Sequence, residues 1–381
     1  MMEIRPVYLD YNATTPVAPE VADAIEPYLR EHFGNPSSSH IYGQRAKAAV
    51  EQARGEVAAL IGANLEEIVF TGCATEANNL AIQGVAQVLA GTKRHLVTSA
   101  VEHPSVMQPF LKLREEGWEV TILPVDRHGR VNPIAVARAI RPDTALVSIM
   151  HANNEVGTIQ PIAEIAQITR PKGILLHTDA AQSAGKIPVH VYKLGADLLT
   201  LAGHKFYAPK GVGALYVRNG TLLAPLQVGA SHEHGLRPGT ENVPFIVGLG
   251  AAAKLARRRL PKAQVYLQTL RDQLYAQLQA GVPRLVLNGH AEARLPNTLN
   301  ISFPGVNGHE LLEAAAQDLA ASTGSACHSG DHAVSGVLGA MKVSAARASG
   351  AVRLSVGLYT TTADIDRAAR ALIVAWKGLH L

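Results

Sequence analysis

The chain has 381 residues, of which 47% are apolar and 17% charged, and its formal net charge is +4. This is ordinary globular composition, and at about 150 residues per domain the length suggests two domains. No Lys/Arg run is longer than Arg257-Arg258-Arg259, which reads as a solvated helix face, so direct nucleic-acid binding is not expected.

The longest apolar run, Val243 to Ala253, is shorter than the about 20 residues a bilayer span requires. Met1 to Thr15 carries Glu3, Arg5 and Asp10 and no apolar core, so neither a membrane span nor a signal peptide is expected. Two cysteines cannot build a disulfide framework, which points to a reducing, cytoplasmic setting.

In chain order, Val7 to Asn12 reads as a short strand leading into a turn at Thr14-Thr15-Pro16. A helix starts near Pro19, with Val21, Ala24, Ile25 and Tyr28 at helical spacing. A second runs from about Gln44 to Ile61, with Ala46, Val50, Ala53, Val57 and Leu60 on one face and Gly62 as its cap. Strand 68–71 precedes a helix that opens at Gly72-Cys73-Ala74-Thr75 and runs to about Leu89, with Thr75 as the expected N-cap. Cys73 reads as structural. The free amides and positive dipole end of this helix are a candidate phosphate cradle, and simple capping is the alternative.

Strands at 96–99, 119–123, 145–150, 174–178, 197–201 and 213–217 then alternate with helices. That alternation predicts a mainly parallel sheet covered on both faces, its last strand antiparallel because only a short turn separates it from its predecessor. From Val243 a long helical region runs to Leu278, with a break expected near Pro261. Strands 285–287, 298–303 and 351–356, a helix over 309–319 and a last helix from about Asp364 make a smaller α+β unit. The expected division is 15–255 for the large domain, with 1–14 and 256–381 forming the small one.

Two strand ends carry the chemistry. The apolar run from Gly173 ends at Asp179, and the turn Gly203-His204-Lys205 follows the apolar run Leu198 to Leu201. A lysine held between two buried strands can be desolvated, which disfavours its ammonium form and makes it a nucleophilic amine near neutral pH. An acid at the carboxyl end of a strand points into the crevice where open α/β sheets bind ligands. Asp179 and Lys205 lie 26 residues apart, about one strand-helix-strand unit. Such a pair fits pyridoxal 5'-phosphate (PLP): the lysine attaches covalently and the acid keeps the pyridine nitrogen protonated.

Other patterns lead elsewhere. Gly248-Leu249-Gly250 loosely matches a dinucleotide fingerprint, but no strand precedes it. His232 and His234, and Cys327, His328 and His332, lack the spacing of a tetrahedral site, so no metal is expected.

The chain resembles the NifS/IscS cysteine desulfurases, which belong to the aminotransferase-like PLP enzymes. The resemblance rests on Tyr11-Asn12-Ala13-Thr14-Thr15-Pro16, Phe33-Gly34-Asn35-Pro36-Ser37-Ser38, Ala74-Thr75-Glu76, Glu102-His103, Asn153-Asn154-Glu155-Val156-Gly157, Asp179-Ala180-Ala181-Gln182, Gly203-His204-Lys205, Arg237 to Asn242 and Gly324-Ser325-Ala326-Cys327. It implies fold type I of the PLP-dependent transferases, with a seven-stranded, mainly parallel sheet and a smaller α+β domain carrying the Cys327 loop.

By the same resemblance, Lys205 holds PLP, Asp179 pairs with the pyridinium nitrogen, Gln182 bonds the ring hydroxyl and His103 stacks on the ring. Ala74, Thr75 and His204 hold the phosphate, and Thr240 reaches the phosphate in the other subunit of a homodimer. Asn12, Asn154 and Arg353 hold the substrate L-cysteine, His103 or Lys205 moves protons, and Cys327 accepts the sulfur. The sulfur would pass to an acceptor protein such as an iron–sulfur scaffold or a tRNA-thiolation enzyme. A selenocysteine lyase or an aminotransferase on the same fold is the alternative. The sequence departs from the family at Gly72-Cys73, where Ser-Gly is usual, at Leu358, where arginine is common, and at Ala202, where a serine usually helps bind phosphate. One missing charge-assisted bond of that kind is worth about 1.5–3 kcal/mol.

Overall fold

The computed structural model describes residues 5–324 and 335–380. The chain opens with β1 (Val7–Tyr8), α1 (Pro19–Arg30) and α2 (Ile41–Ile61). Gly62, with φ +66°, closes α2 in the left-handed conformation that glycine adopts without strain. There follow β2 (Ile68–Thr71), α3 (Ala74–Leu89), β3 (His95–Ser99), α4 (Pro104–Glu115), β4 (Glu119–Leu123), α5 (Pro133–Ala139), β5 (Thr144–Ser148), α6 (Ile162–Thr169), β6 (Leu175–Asp179), α7 (Val191–Leu194), β7 (Leu198–Ala202) and β8 (Gly213–Val217).

Among the described residues, the main sheet has seven strands in the order β2-β8-β7-β6-β5-β3-β4. Neighbours from β7 to β4 pair in parallel, and β8 runs antiparallel to both β7 and β2. Every residue of β3, β5 and β7 is buried, as expected for strands covered on both faces. One face packs against α1 and α2 through Val21, Val50, Val57 and Ile61. The other packs against α3 and α4 through Leu80, Val85, Val106 and Phe110.

The remainder is α8 (Val243–Gly281), β9 (Val286–Asn288), β10 (Thr298–Ser302), α9 (Gly308–Ala314), β11 (Leu319–Ala320), α10 (Gly336–Ala340), α11 (Ala345–Ser349), β12 (Ala351–Ser355) and α12 (Thr362–His380). A three-stranded antiparallel sheet, β12-β10-β9, packs with α8 and α12 through Leu267, Leu270, Leu274, Leu278, Ile365, Leu372 and Trp376. Val7 and Leu9 join this core, and β1 pairs in parallel with β11.

The structure corrects four expectations. The helix is continuous through Pro261: α8 buries Ile246, Leu249 and Ala252 in the large core and its leucines in the small one. A proline costs about 3 kcal/mol in a helix, less than burying four leucines at about 1.5–3 kcal/mol each. Strand β1 stops at Tyr8; the Leu9 carbonyl accepts from the Ser355 amide of the small sheet (2.7 Å), and the Asn12 and Ala13 carbonyls then accept from Lys205 Nζ after β7. Helix α9 ends at Ala314, because Leu319–Ala320 is taken up in pairing with β1. The N-cap of α3 is Cys73, not Thr75, and no side chain caps it.

The segment between β8 and α8 is pinned by a buried ion pair. Arg54 on α2 donates to both carboxylate oxygens of Glu233 (2.8 Å each) and lies 4.7 Å from the Phe70 ring centroid. Glu233 also accepts the Phe70 amide (2.7 Å). Removing one member of a buried pair strands the other charge, which costs about 3–5 kcal/mol. Arg54→Met should therefore lower the unfolding free energy measured by urea titration by that much, whereas Arg257→Ala, which breaks an exposed pair with Glu56, should cost about 1 kcal/mol or less. Equal midpoints for the two variants would contradict this reading.

Candidate active site

A cavity of about 1110 Å³ opens at the carboxyl ends of the parallel strands. Its wall takes Asp179 from the end of β6, Ala202 from the end of β7, His204 and Lys205 from the turn after β7, and Cys73 to Thr75 from the start of α3. It also takes His103 from the start of α4, Asn154 and Glu155 from the loop after β5, Asn12, Gln182 and Arg353. Asp179 pairs in register with Thr200 on β7, so the acid and the turn bearing the amine come from adjacent strands.

Asp179 is held by its neighbours. Its Oδ2 accepts from Asn78 Nδ2 and its Oδ1 from the Ala181 amide, both at 2.8 Å. Asn78 Nδ2 also donates to Ser105 Oγ (2.8 Å). Lys205 Nζ has no carboxylate in hydrogen-bond contact among the described residues; it donates to the carbonyls of Asn12 (2.8 Å) and Ala13 (2.7 Å). Burial, and next the charge of Arg353, lower its amine from 10.5 to about 8, with Asp179 and Asp10 opposing.

His103 caps α4. Its Nδ1 accepts from the Ser105 amide (3.1 Å), so the neutral ring carries its proton on Nε2. Burial, with the Lys205 charge adding to it and Asp179 opposing, pushes this imidazole below its ordinary value. His204, whose Nδ1 lies 3.1 Å from Thr14 Oγ1, is pushed down to about 4 by burial and next by the charges of Lys205 and Lys210. Glu102 stays out of the cavity: it accepts from Ser99 Oγ (2.6 Å) and the Met150 amide (3.0 Å) and so fixes the turn into α4.

Arg353, on β12, is 5% exposed. It donates to Asp10 Oδ1 (2.7 Å), Ser322 Oγ (2.8 Å) and the Asn154 carbonyl (3.2 Å), and its Nε has no partner. Asn12 Nδ2 reaches the same Asn154 carbonyl (3.2 Å). Gln182 Nε2 donates to the Asn12 carbonyl (2.9 Å).

The residues fit PLP. The α3 N-terminus faces the cavity without a side-chain cap, leaving amides and a positive dipole end for a phosphate. Gly213 permits the approach of β8 to that end, since a Cβ there would meet the Cys73 carbonyl carbon at 2.8 Å and the Ala74 amide nitrogen at 3.1 Å. An uncapped helix end for an anion, a fixed acid and a low-pKa amine, all on one cavity, define a PLP enzyme of fold type I.

The comparisons agree with that class. Residues 7–368 match the model of the class-V aminotransferase family. The chain is 48% identical over 363 residues to cysteine desulfurase IscS of Dictyoglomus turgidum, covering 95% of this chain and 92% of the relative. It is 46% identical to a cysteine desulfurase of Trichormus azollae, covering 95% and 90%. A solved NifS-like protein superposes with a TM-score of 0.92 at 37% identity, covering 98% of this chain and all of the other. The chain belongs to the class-V aminotransferase family, among its NifS/IscS cysteine desulfurases, and its cofactor is PLP.

Of the residues singled out from sequence, Asn12, Ala74, Thr75, His103, Asn154, Asp179, Gln182, His204, Lys205 and Arg353 all line the cavity. Thr240 is exposed and does not line it. Cys327 lies outside the described residues, as do His328 and His332. Cys73, read as structural, is exposed and lines the cavity. Ala202 lines it too, where a serine hydroxyl would have faced inward. Sequence reasoning missed Asn78, Ser105, Asp10 and Lys186. Asn78 had a signal: it lies one turn after Ala74 on α3, on the side that faces the site.

With the amine lowered to about 8, the neutral fraction of Lys205 rises steeply between pH 7 and 9. Site-resolved labelling of the apoprotein with an amine reagent should show a half-point near pH 8. Arg353→Met should raise that half-point, because the arginine charge disfavours the ammonium, and Asp179→Asn should lower it. A half-point at the ordinary 10.5 would contradict the burial argument.

Proposed function

We propose that this protein removes sulfur from L-cysteine, leaving L-alanine and a persulfide on Cys327 that is passed to an acceptor protein. The observation that carries this reading is the shared cavity of Lys205 and Asp179, with Arg353 at its edge. When bound, PLP supplies the electron sink that makes the substrate α-proton acidic.

The chain's own residues do the rest. Lys205 attaches the cofactor through Nζ. When not attached, that nitrogen, with a pKa near 8, would take and return a proton at the substrate α-carbon. Asp179, fixed by Asn78 and the Ala181 amide, would hold the protonated ring nitrogen. Ala74 and Thr75 at the uncapped start of α3, with His204, hold the phosphate. Arg353, whose Nε is unpartnered, binds the substrate carboxylate together with Asn12 and Asn154. His103, neutral and protonated on Nε2, would stack on the bound cofactor and could move a proton between substrate and Cys327. The Cys327 thiolate attacks the substrate sulfur: a sulfur–sulfur bond forms, the carbon–sulfur bond breaks and the carbon takes a proton.

We further read the working unit as a homodimer. Thr240 is exposed and outside its own cavity, on a segment that the Arg237–Glu76 ion pair (3.0 Å) ties to α3. Residues 15–255 form the cofactor-binding domain of this reading, with 1–14 and 256–381 as the small domain. The acceptor is an iron–sulfur scaffold or a tRNA-thiolation enzyme. Two cysteines, too few for a disulfide framework, suit a reducing compartment, so we place the protein in the cytoplasm; among the described residues no helix is long and apolar enough to cross a membrane.

Cys327→Ala should keep the absorbance of the bound cofactor and lose alanine formation from cysteine, whereas Lys205→Ala should lose both. A Cys327→Ala protein that still delivers sulfur at the normal rate would sink the assignment of that thiol. A keto acid produced in place of alanine would indicate transamination.

A further inference from the structure

Behind Lys205 lies a second buried lysine. Lys186 is 6% exposed, and among the described residues it makes no ion pair. Its Nζ donates to Gln182 Oε1 (2.8 Å) and to Asn12 Oδ1 (3.3 Å). Two acceptors satisfy the two N–H groups of a neutral amine, while an ammonium carries three donors. The Asn12 carbonyl then accepts from both Gln182 Nε2 (2.9 Å) and Lys205 Nζ (2.8 Å). Asn12 Oδ1 also accepts from Asn297 Nδ2 (2.9 Å). Lys186, Gln182, Asn12 and Lys205 thus form one hydrogen-bonded chain leading to the attachment point.

We propose that Lys186 is a positioning residue: as an uncharged amine it holds Gln182 Oε1, and so turns the NH2 end of that amide toward the cofactor. One N–H of Gln182 Nε2 is used by the Asn12 carbonyl. The other is free for the cavity that Gln182 lines. Without Lys186 the amide can flip and offer its oxygen instead. An N–H aimed at the cofactor's ring oxygen makes that oxygen a weaker base; a carbonyl aimed at it does the reverse. Burial, then the charges of Lys205 and Arg353, hold Lys186 well below its ordinary amine value, in keeping with the neutral form. The other titratable groups around the two amines include His204, His103, Asp179, Asp10, Tyr11 and Tyr207, and they are the same in each Lys186 variant below.

The test is the pH titration of the visible absorption of the lysine-bound cofactor in the holoenzyme. In Lys186→Met the midpoint should move up by about one unit, a tenfold change in proton affinity, and the cofactor should bind more weakly. In Lys186→Gln, which keeps a neutral donor to Gln182 Oε1, the midpoint should stay near that of the parent protein. A parental midpoint in Lys186→Met overturns the proposal. So does a one-unit shift in Lys186→Gln, which would mean that charge rather than orientation matters; this arm decides the question even if the Met variant fails to fold. The inference rests on Lys205 as the attachment point. A chromophore that survives Lys205→Ala overturns that reading and this one together. Loss of the chromophore in Lys205→Ala, with parental titrations in Lys186→Met, overturns this one alone.

Discussion

The site depends on keeping an amine and a carboxylate on adjacent strand ends without letting them neutralise each other. Each is given other partners. Asp179 is fixed by Asn78 and the Ala181 amide, one bond to each oxygen, and Lys205 is turned toward the backbone carbonyls of Asn12 and Ala13. The gap between them is the cavity. A direct ion pair would fill that space, favour the ammonium form and remove the nucleophile.

The rest of the fold can be understood as what holds this geometry rigid. Parallel strands buried on both faces set the register of Asp179 against β7. The chain's first residues cross from the small sheet to the main one, where Asn12 meets Gln182, Lys186, Asn154 and Lys205. Arg353 arrives from the other direction, on the middle of β12, and Asn154 ties it to the same loop. The Arg353 end of the cavity is therefore built from the small sheet and the Asp179–Lys205 end from the large one. The 39-residue helix α8, about 58 Å long at 1.5 Å per residue, runs through both cores.

Much of this was legible in the sequence. Strands with uninterrupted apolar runs, such as Leu198 to Leu201, declared a sheet covered on both faces, and the acid and the lysine stood at the ends of two of them. Local patterns failed where tertiary pairing overrode them. Leu319 looked helical by spacing but pairs with β1. Pro261 looked like a break in the helix, yet packing on both sides keeps α8 intact. Asn78 and Lys186 were missed for another reason. Their local positions, one turn after Ala74 and four residues after Gln182, hint at the site, but their roles also need partners 101 and 174 residues away.

The most direct measurement is reduction of the cofactor-loaded protein with borohydride, followed by peptide mapping by mass spectrometry. The pyridoxyl group should be found on Lys205 and on no other lysine. Attachment at Lys186 or at a surface lysine, or no attachment at all, would contradict the placement of the reactive amine opposite Asp179.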